Sequence, residues 1–376
     1  VLAALSAVTL LLGGCAAVQQ VARVGAYVAA SSTPPAPAQV TGAGGAAAGS
    51  RGGAAAIVDA PGTFRFGVAG DLGGAGAAIT TFEALAAAKP DFFLAIGDLS
   101  YDEIAPEKAW CSYVKGLLGD DYPFEVLIGN HEQLPTSNSG FIGNFAKCLP
   151  DRLGEQGRYA HRYFVDYPAE NPIARFILID PNLPRGDRVA EYCKDGEKSS
   201  CNWLKERLDE AQRMGLWTIV GMHKVCLSVG KKSCEVGADL LNVLLERKVD
   251  LVLQGHEHGF QRSHQLSLGP DCPAVEPETF NPACIVDDNS DDGFTRGAGT
   301  IFYITAAFGQ DPYAVNLDDP EAGYMATWMD KTTESKGYME FAVADDQMAG
   351  WFVNVTGPFT DTISIGGQAA APAVGD

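Results

Sequence analysis

The chain has 376 residues, 46% of them hydrophobic, enough to bury a substantial core and to exclude a disordered polyelectrolyte. Its formal net charge of -20 argues against nucleic acid as a partner bound by general electrostatics, because the mean field repels any polyanion. A phosphate-bearing ligand would need a local positive centre.

The opening VLAALSAVTLLLGGC, residues 1–15, reads as a hydrophobic export segment ending in a bacterial lipobox. Cys15 would then carry the lipid and become the mature N-terminus. A helix of this length is too short to span a bilayer. Residues 16–62, which include SSTPPAPAQVTGAGGAAAGSRGGAAAIVDA, are rich in Ala, Gly and Pro, and ordering them would cost entropy that little burial offsets. They read as a tether. The expected location is therefore exported, lipid-anchored through Cys15 at a bacterial cell envelope membrane. Ala16 lacks the aspartate that would suggest inner-membrane retention, which leaves the outer membrane and cell surface open. The oligomeric state is left open.

Eight cysteines remain after Cys15, an even number suited to an oxidising compartment. Cys111, Cys148, Cys193, Cys201, Cys226, Cys234, Cys272 and Cys284 fall into neighbouring pairs in chain order, with no CxxC to suggest zinc. Disulfides are expected, with connectivity open.

From residue 64 short apolar strands alternate with helical segments. The strands are FRFGVAGD, DFFLAIGD, FEVLIGN, ARFILID, WTIVGMH and VDLVLQGH; the helices are AAITTFEALAAAK, APEKAWCSYVKGLL, CNWLKERLDEAQRM and ADLLNVLLERK. Such alternation predicts a largely parallel buried sheet covered by helices. After residue 264 the pattern changes to HQLSL, TIFYITAAF, YMEFAVADD and QMAGWFVNV, which predicts a second, mainly antiparallel or mixed sheet packed on the first. The folded domain is expected over 63–360, with a stapled acidic loop at 269–299 and a flexible tail at 361–376. Within that loop VDDNSDDG resembles a calcium loop superficially, but neither Asp287 nor Asp288 as first ligand gives both the expected glycine and the terminal glutamate.

Polar residue types that ligate metals recur at the carboxyl ends of five strands: Asp71, Asp98, Asn130 with His131, His223, and His256 with His258. Ligand sites of open parallel sheets form outside those ends, so residues far apart in sequence can converge. Carboxylates, an amide oxygen and imidazoles suit iron, zinc or manganese, and one carboxylate can bridge two cations. In a regular strand, His256 and His258 would share a face.

These blocks, GDLG at 70–73, GDLSY at 97–101, GNHE at 129–132, VGMH at 220–223 and GHEH at 255–258, resemble those of the metallophosphoesterase (calcineurin-like) superfamily, most closely the purple acid phosphatases. The resemblance implies an α/β fold, a four-layer α/β/β/α sandwich with two mixed sheets and a binuclear metal site at strand C-terminal ends. Gly73 stands where most of the superfamily places a metal-binding histidine, and Tyr101 occupies the place of the tyrosinate that replaces it in purple acid phosphatases. Carried over, Asp71, Asp98, Tyr101 and His258 would hold Fe(III); Asp98 as bridge, Asn130, His223 and His256 would hold a divalent metal, Fe, Zn or Mn.

The implied activity is hydrolysis of a phosphate ester, a phosphomonoester, by metal-bound hydroxide, with His131 beside Asn130 protonating the leaving group. Glu132 could orient His131, and Arg262 could contact substrate or pair with a carboxylate. Plant-type enzymes carry further histidines after the fourth block, whereas this chain has KVCLSVGKKSCEVG, with Lys224, Lys231 and Lys232. Two other readings remain: a metallophosphodiesterase acting on nucleotides or lipid headgroups, and a non-catalytic surface lipoprotein on the same scaffold.

Overall fold

The computed structural model describes residues 57, 60–133, 140–185, 188–190, 192–194, 198–290 and 293–367. The export segment, Cys15 and the tether through residue 56 lie outside the described residues, as does the expected tail from 368. The first strands are β1 (Phe64–Ala69), β2 (Phe92–Ile96), β3 (Phe124–Leu127), β4 (Gln156–Arg158), β5 (Arg162–Tyr167) and β6 (Ala174–Ile179). A small hairpin of β7 (Pro184–Arg185) and β8 (Arg188–Val189) stands apart from the main sheets. Then come β9 (Trp217–Met222), β10 (Leu251–Gln254), β11 (Gly259–Leu266), β12 (Ile285–Asp287), β13 (Phe294–Thr295) and β14 (Thr300–Ala306). The last are β15 (Met325–Trp328), β16 (Lys336–Val343), β17 (Gln347–Thr356) and β18 (Thr362–Gly366). Among the described residues five helices cover them: α1 (Ala77–Ala88), α2 (Glu107–Leu118), α3 (Ile142–Cys148), α4 (Lys198–Arg213) and α5 (Ala238–Glu246).

Two mixed sheets result, one in the order β13-β18-β17-β16-β1-β2-β3 and one in the order β12-β11-β14-β10-β9-β6-β5-β4, with β15 on β11. The period of two in a strand sorts side chains between layers. Phe92, Leu94 and Ile96 join the core between the sheets, whereas Phe93 and Ala95 face the outer layer with Phe82, Trp110 and Phe145. Across the central core Phe66 meets Phe176 edge-on at 4.9 Å. On the far side Leu204, Leu208, Leu240 and Leu244 cover Ile177, Val220, Met222 and Val252. This is the expected α/β/β/α sandwich.

The partition of strands differs from the expected one. The strands after residue 264 do not form a sheet of their own: β14 pairs in parallel with β10, while β16 pairs antiparallel with β1. Both β14 and β16 are buried along their whole length, and a strand buried on both faces carries no sequence mark of which sheet it joins.

The domain also exceeds its expected limits. Ile57 is buried against Ala342 and Ala349, and β18 begins just after residue 361, with Ile363 and Ile365 buried. The expected tail from 361 is thus corrected to begin with a strand. Its entry is fixed by Asp361, which accepts two hydrogen bonds from buried Arg262, each 2.9 Å, so Arg262 takes its carboxylate-pairing role. The 269–299 segment is stapled by Cys272–Cys284, yet contains β12 and β13. The other disulfides, Cys111–Cys148, Cys193–Cys201 and Cys226–Cys234, likewise join neighbours in chain order.

Candidate metal centre

The parallel strands deliver their carboxyl ends to one cleft. Beyond β1, β2, β3, β9 and β10 lie Asp71, Asp98, Asn130, His223 and His256, and the turns are bonded to one another. Asp71 N–H donates to Gly97 O at 3.0 Å, Leu72 N–H to Asp98 O at 2.9 Å and Gly255 N–H to His223 O at 3.1 Å. Asp71, Asp98, Tyr101 and His256 take left-handed backbone at φ 58°, 54°, 52° and 66°. Non-glycine residues adopt that region at an energetic cost that the surrounding structure must hold in place.

Glu132 does much of this holding. Fully buried, it accepts N–H bonds from Asp98 at 3.1 Å, Leu99 at 2.7 Å and Gly129 at 3.0 Å, and so ties the turns after β2 and β3 together. Its expected role beside His131 is replaced by this one. Burial and then the Asp98 charge push its carboxyl up to about 8. Gly97 permits a close approach: with φ 93°, an added Cβ there would lie 2.6 Å from His223 Nδ1.

All seven expected ligands meet here, in two corners that share Asp98. In the first, the Tyr101 hydroxyl lies 2.7 Å from Asp71 Oδ1, 3.1 Å from Asp98 Oδ2 and 3.1 Å from His258 Nε2. His258 Nε2 is 3.2 Å from Asp71 Oδ1. In the second, His223 Nε2 lies 3.1 Å from Asn130 Oδ1 and 3.3 Å from Asp98 Oδ1. Asp98, His223 and His256 each bring a ligating atom within 4.8 Å of the others.

Donors that sit side by side on one cation at ~2.1 Å stand roughly 3 Å apart. The spacings among Asp71, Asp98, Tyr101 and His258, and among Asp98, Asn130 and His223, match that separation, and His256 lies within 4.8 Å of Asp98 and His223, so the residues fit a two-cation centre. Gly73 explains the missing histidine: a Cβ there would come 2.6 Å from Glu103 Oε2, whose carboxylate accepts from the Gly74 and Ala75 amides at 2.6 and 2.8 Å.

The electrostatics follow from packing anions together. Burial would raise Asp98, but His223 and His131 outweigh it and hold its carboxyl below the usual range. Burial lowers His223, yet Asp98 lifts it to about 9. Burial and the Asp71 and Asp98 carboxylates push the Tyr101 hydroxyl far above an ordinary phenol. Ionising that phenol therefore requires a strong compensating cation.

His256 and His258 are not two positions of one regular strand. His256 lies in the turn after β10, and Glu257 N–H folds back onto Gly255 O at 2.7 Å. Buried Glu257 then accepts the Lys231 and Lys232 amides at 2.9 and 2.7 Å, holding the lysine loop at the cleft.

At the mouth His131 donates its N–H to Asp98 Oδ1 at 2.9 Å and sets its ring 4.4 Å from that of Tyr101. Tyr313 stacks on His258 at 4.3 Å, and the Lys231 ammonium lies 4.7 Å over the Tyr313 ring. Tyr313 and Glu235, the latter 2.7 Å from His256 Nε2, were not singled out by sequence, since neither belongs to a recognisable motif. Outside the cleft residues, His161 pairs with buried Asp180 at 3.1 Å.

The model of the calcineurin-like phosphoesterase family matches residues 64–260, and the chain belongs to that family. Among curated proteins, it is 26% identical over 208 residues to purple acid phosphatase 21 of Arabidopsis thaliana, covering 53% of this chain and 44% of that one. A purple acid phosphatase of Glycine max is 27% identical over 286 residues, covering 70% of this chain and 55% of that one. The chain thus spans about half the length of these relatives. The purple acid phosphatase PPD1 of yellow lupin shares the fold, with a TM-score of 0.58 at 14% identity over 84% of this chain and 57% of that one.

Proposed function

We propose that the chain hydrolyses phosphate monoesters at a heterovalent two-cation centre. Iron(III) would be held by Asp71, Asp98, Tyr101 and His258, and divalent iron, zinc or manganese by Asp98, Asn130, His223 and His256. The observation that carries this reading is the Tyr101 hydroxyl, within 3.1 Å of Asp71, Asp98 and His258, an oxygen donor in the corner where Gly73 offers none. The likeness to the purple acid phosphatases and to a phosphoenolpyruvate phosphatase of Allium cepa, 24% identical over 216 residues, supports it.

When bound, the cation pair supplies the positive potential that a chain of charge -20 otherwise lacks, and acidifies water for in-line attack at phosphorus. The chain's own residues do the rest. Asp98 reaches both corners and fixes their separation, with its turn locked by Glu132. Asn130 supplies a neutral oxygen next to His223. His131, its side chain 36% exposed, stands at the mouth with Nε2 3.7 Å from Asp98 Oδ2, placed to protonate a departing alkoxide. Lys231 adds a fixed positive charge at the rim.

The proposal includes export, with lipid on Cys15 as the membrane partner; the LGGC motif and the four disulfides support it. Membrane-fraction recovery that is lost in Cys15→Ser would bear this out, and equal recovery would refute it. For the activity, iron-loaded protein should show a visible tyrosinate charge-transfer band and hydrolyse p-nitrophenyl phosphate faster than its bis-ester. Diester preference without the band would favour the phosphodiesterase, and no turnover with both metals bound would favour the binding protein.

A further inference from the structure

Lys224 and Glu235 flank the disulfide-closed loop between Cys226 and Cys234, and both reach His256. Glu235 Oε2 lies 2.7 Å from His256 Nε2, and the Lys224 ammonium lies 3.1 Å from that same carboxylate oxygen and 2.9 Å from Nε2. His256 is 4% exposed, and among the described residues no hydrogen bond reaches its Nδ1. Its backbone N–H is committed to Asp71 Oδ2 at 2.7 Å.

An ionised carboxylate only accepts hydrogen bonds and an ammonium only donates them. An imidazole proton on Nε2 faces the Glu235 carboxylate oxygen at 2.7 Å, with the Lys224 ammonium 3.1 Å from the same oxygen. The remaining lone pair is then on Nδ1. We infer that Glu235 is a positioning residue for His256, fixing the tautomer and ring orientation in which Nδ1 is the donor, and that Lys224 and the Cys226–Cys234 disulfide keep it in place. The inference rests on the two-cation reading of the site.

The local structure is built for such a role. Glu235 N–H donates to Val225 O at 3.0 Å across the loop's neck, and the disulfide closes the same neck. The body of the loop is anchored as well: Ser228 N–H donates to Glu321, Val229 N–H to Gln261, and the Lys231 and Lys232 amides to Glu257. Lys224 is 8% exposed, and its charge is balanced by Glu235. A carboxylate behind a metal-binding histidine raises the basicity of the imidazole, and loss of such a partner typically costs about 10- to 100-fold in metal affinity.

The test is chelator competition for Zn on the full chain already loaded with iron. Glu235→Ala should weaken Zn binding about 10- to 100-fold with iron content and visible band unchanged. Glu235→Gln, whose amide oxygen can still accept from Nε2, should recover most of the loss. Lys224→Met, which keeps most of the apolar stem and removes the charge, should weaken Zn in the same direction if Glu235→Ala does not fold. Zn binding as tight as wild type in a folded Glu235→Ala or Lys224→Met overturns the inference alone. So does a loss of both metals, with a lowered melting temperature, that Gln does not recover. A wild-type chain that takes up no divalent ion would overturn the two-cation reading and this inference with it.

Discussion

The two corners of the cleft are made from different materials. The Asp71, Tyr101 and His258 corner gathers oxygen donors from left-handed turns, with φ 58° at Asp71 and 52° at Tyr101; its phenol donates to Asp71 while protonated, and ionising it beside that carboxylate requires a cation among them. The Asn130, His223 and His256 corner is neutral in its donors and held from behind: His223 Nδ1 contacts Ile96 O at 3.0 Å, and His256 Nε2 contacts Glu235. Hard anionic donors favour a cation of high charge, whereas amide and imidazole donors suit a borderline divalent ion. The asymmetry of the donors thus argues for two unlike metals on one scaffold.

Removing what the corners share should have the largest effect. Asp98→Asn is expected to lower phosphatase kcat/KM on the order of 10⁴-fold or more and to reduce the content of both metals, read by elemental analysis beside the assay. Loss of one metal alone would show that Asp98 serves a single corner. His131→Ala leaves both corners intact, so kcat should fall by about 10²- to 10⁴-fold with both metals retained. Substrates with good leaving groups should suffer least, and a uniform loss would remove the acid role.

Tyr101→Phe touches the first corner alone. The visible band should vanish and kcat fall by about 10-fold or more, while Zn affinity in the second corner stays within about threefold. Parallel weakening of both metals would erase the distinction between the corners. Glu125 offers a control outside both. Burial pushes its carboxyl up to about 8, although the Arg152 amide donates to it at 2.9 Å. The folded state therefore keeps a proton that the unfolded state releases near pH 4.5, and stability should fall as pH rises from about 4.5 toward 8, by at most about 1.4 kcal/mol per unit. Glu125→Gln should flatten that slope in urea melts without altering either metal.

Much of the site was legible because a ligand must be a particular residue type at a turn that only certain backbones can make. GD, GNH and GHEH keep both the donor and the glycine before it, and the strands that precede them are short apolar runs. The reason expected for His256 and His258 was nevertheless wrong, since a turn rather than strand periodicity separates them. Glu235 carries no such mark: it reaches His256 only because the Cys226–Cys234 loop doubles back, and that pairing was one of several open to the cysteines. Tyr313 depends in the same way on the chain after β14 returning to the cleft, where its backbone N–H meets His258 O at 2.9 Å. The helix-covered parallel strands followed from the alternation of strands and helices, and the four layers from the family resemblance, but the assignment of β14 and β16 to their sheets followed from neither. Both are buried throughout, and only their neighbours decide.

The most direct test is a crystal structure of the metal-loaded protein with anomalous scattering recorded on either side of the iron edge. Two peaks roughly 3.5 to 4 Å apart are expected, with Asp98 between them, Tyr101 bound to the iron and His256 bound to the other. A single peak, or Tyr101 turned away from both ions, would contradict the central claim.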